Sequence, residues 1–266
     1  MKNLKAYIII PASTILLWIC LLSPFQVKAA GEQIAVIKDG VIDLSDYDFD
    51  KHGNILLSGK WKFFREKFYN SEQAKNDNGY AFLDVPKNWK DQDYHGELLP
   101  AHGYGTYYLR IIVGKNHRNR FFLLRTRYIP NASRIYLNDK LIGHGGNPGE
   151  TSETTEASLT VTLNEFDFNT DTLDLIIQAS NFHLGKGGMY YEVELGDAKS
   201  INKSNAIKEI KIFFIIGSVF LMILYYLILF LLRKKEKSSL FFSIVCLCNA
   251  IYTLCLSDLY YYFFPF

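Results

Sequence analysis

The stretch His102-Gly103-Tyr104-Gly105-Thr106-Tyr107-Tyr108-Leu109-Arg110 carries a G-x-G beside a run of aromatics. The chemistry it suggests is a backbone cradle for phosphate. A dinucleotide loop needs a third glycine three residues on, at the mouth of a helix. Position 108 is Tyr, and the run from Tyr107 to Val113 is β-branched and aromatic and stops at Gly114, which predicts a strand. The two glycines then form a flexible lead-in to that strand. Cys246-x-Cys248 is spaced too closely for a C-x2-4-C metal pair and has no histidine nearby. Helix packing is its expected role, and no metal or cofactor site is expected. A glycosidase needs two carboxylates placed across a bond, and no such pair stands out.

Four residues remain with the chemistry of a binding site: Trp89, Tyr104, Asn181 and His183. Aromatic faces with a few directional polar groups suit a carbohydrate or a similar small polar ligand. Trp89 follows Pro86 in a loop. Tyr104 sits between glycines, where backbone approaches a ligand closely. Asn181 and His183 precede the flexible Gly185-Lys186-Gly187-Gly188. A plainer role is open to each: Asn181 and His183 would serve to tie down a strand-end loop. Trp61, alternating with Phe63, reads as core rather than platform.

The elements that must position these residues are short strands from Gly31 to Asn205. Ile34–Ile37 and Val41–Leu44 flank an Asp39-Gly40 turn. Ile55–Leu57, Trp61–Phe64, Ala81–Val85, Tyr107–Val113, Phe121–Leu124 and Arg134–Leu137 follow, and Asn138-Asp139 turns the last into Lys140–Gly143. Leu159–Leu163, Leu173–Gln178 and Tyr190–Leu195 complete the series. Short strands punctuated by turns predict an all-β jelly roll or β-sandwich. The helical candidates are Phe64–Ala74 and a juxtamembrane segment, Ile201–Lys211. Residues 31–205 hold 20 basic and 24 acidic side chains, which argues against a nucleic-acid face. Arg118, Arg120, Arg125 and Arg127 form the one basic cluster, and solvated surface is its expected role. The region has no cysteine and must rely on its core, for which about 175 residues suffice.

The ends of the sequence carry membrane signals. Lys2 and Lys5, an apolar run from Ala6 to Leu22, and Val27-Lys28-Ala29 predict a signal peptide over residues 1–29, an uncleaved anchor being the alternative. Bulky Trp18 and Ile19 argue against a lipoprotein site at Cys20. Ile212–Leu232 is 21 residues without a charge, long enough to span about 30 Å of hydrocarbon. Residues 233–237 are basic, and Ser238–Ser257 is a second uncharged run of 20 residues. The positive-inside rule puts 233–237 in the cytoplasm. The β domain (31–200), the juxtamembrane helix (201–211) and residues 258–266 then lie outside, giving a multi-pass protein of the cytoplasmic membrane.

The order of motifs carries a resemblance. Gly59-Lys60-Trp61-Lys62-Phe63 is followed by Val85-Pro86-Lys87-Asn88-Trp89, then Gly103–Arg110, Tyr136–Lys140, and Gln178–His183 with Gly187-Gly188. This order resembles a galactose-binding-like jelly roll and is similar to the non-catalytic sugar-binding domain of family 2 glycoside hydrolases. Asn181–Gly196 and the segment "LLRKKEKSSLFFSIVCLCNAIYTL" more closely resemble bacterial seven-transmembrane receptors with diverse intracellular signalling modules. The resemblance implies a sensor that binds a small ligand outside and relays a signal through its helices. A membrane-anchored protein-interaction domain is the competing expectation, and the reading leaves room for a homodimer. The sequence stops at Phe266, after two of the seven helices the resemblance implies. The expectation is therefore a fragment or short form without its output module, and no enzyme activity.

Overall fold

The computed structural model describes residues 37–117, 120–126, 129–158, 161–167 and 170–256. The expected signal peptide, residues 34–36 of the expected strand Ile34–Ile37, residues 159–160 of the expected strand Leu159–Leu163, Arg118, Arg127 and residues 257–266 lie outside these. The strands are β1 (Val41–Leu44), β2 (Ile55–Leu56), β3 (Gly59–Arg65), β4 (Ala81–Val85), β5 (Asp93–Tyr94), β6 (Glu97–Leu98) and β7 (Gly103–Val113). They continue with β8 (Phe121–Thr126), β9 (Ala132–Leu137), β10 (Lys140–Gly145), β11 (Thr162–Leu163), β12 (Phe166–Asp167), β13 (Thr172–Asn181) and β14 (Val193–Asp197). The helices are α1 (Phe49–His52), α2 (Ser71–Asn76), α3 (Ala198–Leu232) and α4 (Lys237–Leu256).

The large sheet has the order β11-β10-β9-β13-β7-β3-β4, and the small one β12-β8-β14-β2. β1 and β3 share one edge of β7. β1 runs parallel along Arg110–Val113, and β3 antiparallel along Gly105–Tyr108. The expected β-sandwich is therefore present, followed by two long apolar helices. Its core lies between the sheets. Leu173, Leu175, Ile177 and Ala179 of β13 point into it, and alternation sends Ile176 to the opposite face. There Ile176 meets Phe64, Tyr108 and Ala74 of α2. Trp61 is fully buried, as its alternation with Phe63 predicts, and its indole N–H donates to Leu57 O at 3.1 Å.

Turn chemistry is realised where it was local. Asp39 and Gly40 have φ of 52° and 72°, and Asn138 and Asp139 have φ of 47° and 63°. Both pairs suit the left-handed turns that join twisted strands. The expected helix Phe64–Ala74 is corrected. Phe64 and Arg65 remain in β3, paired with Thr106 and Gly105. The helix begins only at Ser71, where Asn70 and Gln73 cap each other reciprocally. The juxtamembrane segment is likewise not separate. It is the first part of α3, which runs unbroken for 35 residues. Residues 198–211 contain neither glycine nor proline, so nothing local ends the helix before the apolar run.

Candidate functional site

Tyr104 stands near the start of β7. Its neighbour Gly105 has no room for a side chain: a Cβ there would lie 2.5 Å from both the Phe63 ring and Phe64 O. Gly105 thus serves the close pairing of β7 with β3 rather than a phosphate. Tyr104 packs on Phe68 with ring centroids 4.9 Å apart. Partial burial, then the nearby carboxylates of Glu150 and Glu66, push its phenol above the ordinary value. Tyr104 therefore stays a neutral hydroxyl at physiological pH. Beside it is a shallow recess lined by Arg65, Glu66, His102 and the edges of Phe63 and Trp89.

Trp89 is only 2 % exposed, so it offers no open stacking face. Two backbone bonds bring its turn against the 187–189 segment: Lys87 N–H donates to Met189 O and Trp89 N–H to Gly187 O, both at 2.9 Å. Its indole N–H donates to the Tyr107 hydroxyl at 2.7 Å. Gly188 has φ +87°, and a Cβ there would lie 2.6 Å from the Trp89 ring. The flexible glycines of the sequence are thus a tight floor beneath an indole.

Asn181 is fully buried. Its Nδ2 donates to Ala101 O and to Leu184 O, each at 2.8 Å, and its Oδ1 accepts from Leu184 N–H at 3.1 Å. It fastens the loop in which His183 lies exposed. The structure therefore brings Trp89 and Tyr104 to one recess and holds Asn181 within the end of the same sheet, opposite Gly103. Arg65, Glu66, Phe68, His102 and Glu150 escaped the sequence reading because three separate segments supply them. Among the described residues, no group of three His, Cys, Asp or Glu is placed to hold a metal ion.

The basic cluster is also corrected. Arg120 and Arg125 are 27 % and 25 % exposed at the side chain, and both are engaged rather than solvated. Arg120 donates through Nη1 and Nη2 to the two oxygens of Asp50 at 2.9 and 2.8 Å. It also donates through Nε and Nη2 to Asp197 Oδ2 at 3.2 and 2.9 Å. This contact holds the Asp50 carboxyl below the usual carboxylate range. Arg125 pairs with Glu194 across the β8–β14 ladder. Its Nη1 also donates to Ser204 Oγ at 2.7 Å and Asn205 Oδ1 at 2.8 Å.

Helices α3 and α4 pack side by side, Ser243 Oγ donating to Ile223 O at 3.4 Å. Both are long and apolar enough to cross a membrane, and their apolar side chains are largely exposed. Residues 209–266 match the family model for 7TM diverse intracellular signalling. With the two helices, this match makes the chain a membrane protein, and the expected resemblance holds for its membrane segment. No curated protein matches the chain. Among solved structures, it is similar to a GH2 β-galacturonidase from Eisenbergiella tayi bound to galacturonate, at 14 % identity over 54 % of this chain and 24 % of that one, TM-score 0.38. It is also similar to Ruminococcus gnavus β-glucuronidase in complex with uronic isofagomine, at 15 % identity over 53 % and 27 %, TM-score 0.39. A calcium-binding mutant of Bacteroides uniformis β-glucuronidase 2 gives 18 %, 53 % and 17 %, with TM-score 0.40. The chain spans about a quarter or less of these enzymes' length.

Proposed function

We propose that this chain is the sensing part of a membrane receptor. Its sandwich takes a small polar ligand, a carbohydrate being the first class to test, and α3 passes the resulting change to the membrane hairpin. One observation carries the reading. Asp197 is both the last residue of β14 and the N-cap of α3, its side chain accepting from Lys199 N–H at 2.9 Å. No linker separates the sandwich from the membrane helix. A shift of the small sheet therefore moves the helix directly, as a relay requires. Arg233, Lys234 and Lys235 between the two apolar helices, with Lys237 opening α4, support a cytoplasmic turn with the sandwich outside.

The recess beside Tyr104 supplies a phenol face and hydroxyl, with Arg65, Glu66 and His102 as polar neighbours. It is shallow, so affinity should be weak, with a Kd on the order of 0.01–1 mM, or roughly −4 to −7 kcal/mol. The test is a glycan array followed by calorimetry on the full chain in detergent, with Tyr104→Ala and His102→Ala, both at the recess, alongside. Both positions are at least partly exposed, so the fold should survive. A tenfold loss on either substitution supports the site. If no glycan binds at millimolar concentration, a membrane-anchored protein-interaction domain becomes the better reading.

A further inference from the structure

Helix α3 meets the small sheet through its first two turns. Among the described residues, Ala198 and Ile201 are the buried apolar contacts of these turns, at 4 % and 0 % exposure. The remaining contacts are polar. Arg120, just before β8, ties Asp50 of α1 to Asp197 at the helix N-cap. Arg125, near the end of β8, ties Glu194 of β14 to Ser204 and Asn205. Asn202 Nδ2 donates to Glu165 Oε1 at 3.3 Å. Farther along the helix, Ile207 and Ile210 are 43 % and 66 % exposed. An open cleft lined by Phe49, Phe121, Glu165, Lys199 and Lys203 runs beside the contact.

We propose that Arg120 and Arg125 form a two-point latch that fixes the orientation of α3 on the sandwich, and that releasing it lets the helix tilt into the adjoining cleft. Three features make this a latch rather than permanent packing. The apolar hold is one isoleucine and one alanine, far less than a core interface. Each guanidinium uses its rigid fork to bind both bodies at once, so losing either side chain unties two elements together. All of the polar partners can be rehydrated, because each arginine keeps about a quarter of its side-chain surface in water. The latch is a property of the chain without ligand. Its use in signalling rests on the sensor reading above.

The experiment uses the full chain in nanodiscs, with its four cysteines replaced and spin labels at Leu141 and Ile210. Both sites are exposed, one on β10 and one on α3. The wild-type distance distribution should be narrow. Arg120→Ala and Arg125→Ala should each broaden it at least twofold, with near-ultraviolet circular dichroism unchanged. Arg125→Lys, which keeps the charge and loses the fork, should give an intermediate width. Unchanged widths in both alanine variants would overturn the latch. If the arginine variants do not fold, Ser204→Ala with Asn205→Ala decides alone, because it leaves the sandwich side intact. Broadening then supports the latch and no change sinks it. No ligand is present in any arm, so failure of the glycan experiment would not alter this outcome.

Discussion

Replacing Trp89 by alanine should destabilise the sandwich by about 3–5 kcal/mol, the usual cost of emptying a buried aromatic site. The figure follows from its burial. The ring is 2 % exposed, packs on Phe63 at 5.7 Å between centroids, and is closed from the other side by Gly187 and Gly188. Neither glycine has a side chain to collapse into the void, so relaxation should recover little. For a unit of this size the loss corresponds to a fall in Tm of about 6–20 °C. The hydrogen-bond share can be separated. Trp89→Phe keeps most of the apolar volume but removes the donor to Tyr107 Oη at 2.7 Å. Tyr107→Phe removes the acceptor and leaves a buried indole N–H unsatisfied. Each should cost about 1–3 kcal/mol. The double variant should cost about 1 kcal/mol less than their sum, since both remove the same bond. The assay is thermal unfolding of the full chain in detergent, followed by near-ultraviolet circular dichroism. A loss below about 1 kcal/mol for Trp89→Ala would refute the packing argument and return the ring to the surface as a platform.

Trp61→Ala should cost a similar ~3–5 kcal/mol by the same unfolding assay, because its ring is fully buried. Gly188→Ala should destabilise at least as clearly as an ordinary glycine substitution, since φ is +87° and the added Cβ meets the Trp89 ring and Tyr107 Oη. Burial first, and for Tyr108 also the bond to Asp174, raises the phenol pKa of Tyr107 and Tyr108. Their stabilising contribution is therefore complete below the unfolded value of about 10 and is lost as pH rises through the folded values. An alkaline unfolding transition coincident with a step in tyrosinate absorbance should appear, and should move in Tyr108→Phe. A cysteine placed at Ser238 in a chain otherwise free of cysteine should resist an impermeant thiol reagent in intact cells; labelling without lysis would reverse the proposed topology.

What the sequence disclosed was local. The Asp39-Gly40 and Asn138-Asp139 turns needed only their own backbone preference, and the alternation along Leu173–Ala179 needed only one buried face. Alternation held over Lys60–Phe63 of β3 and failed at Phe64, where the second face is buried too. Trp61 and Phe63 point into the core between the sheets, and Phe64, on the other face, is buried as well because Ala74 of α2 covers it. Where the outer face of a strand turns apolar the period of two is lost, and Phe64–Ala74 then reads as a helix. Non-local partners were hidden altogether. Nothing beside Trp89 says that residues 187–188 will close over it. Nothing beside Arg120 names Asp50 or Asp197, which lie 70 and 77 residues away.

That blindness separates the candidate site from the junction in an instructive way. A ligand site can be suspected from residue types, because sugars need aromatic faces and amides wherever they bind. A mechanical junction has no such compositional mark. Its residues are ordinary arginines and aspartates, and only their simultaneous attachment to two bodies gives them a role. The continuity of β14 into α3 was half visible, in a strand followed by an unbroken helical run. The arginines that set the angle between them were not. The proposed latch between sheet and helix thus rests on contacts between residues far apart in the sequence. Substitutions at Arg120 and Arg125 should therefore alter helix orientation while leaving the Tyr104 recess unchanged. Arg120, through Asp50 of α1, sits toward the Val113 end of β7, which pairs with Leu44, while Tyr104 stands at the other end, about 30 Å of strand away at 3.3 Å per residue.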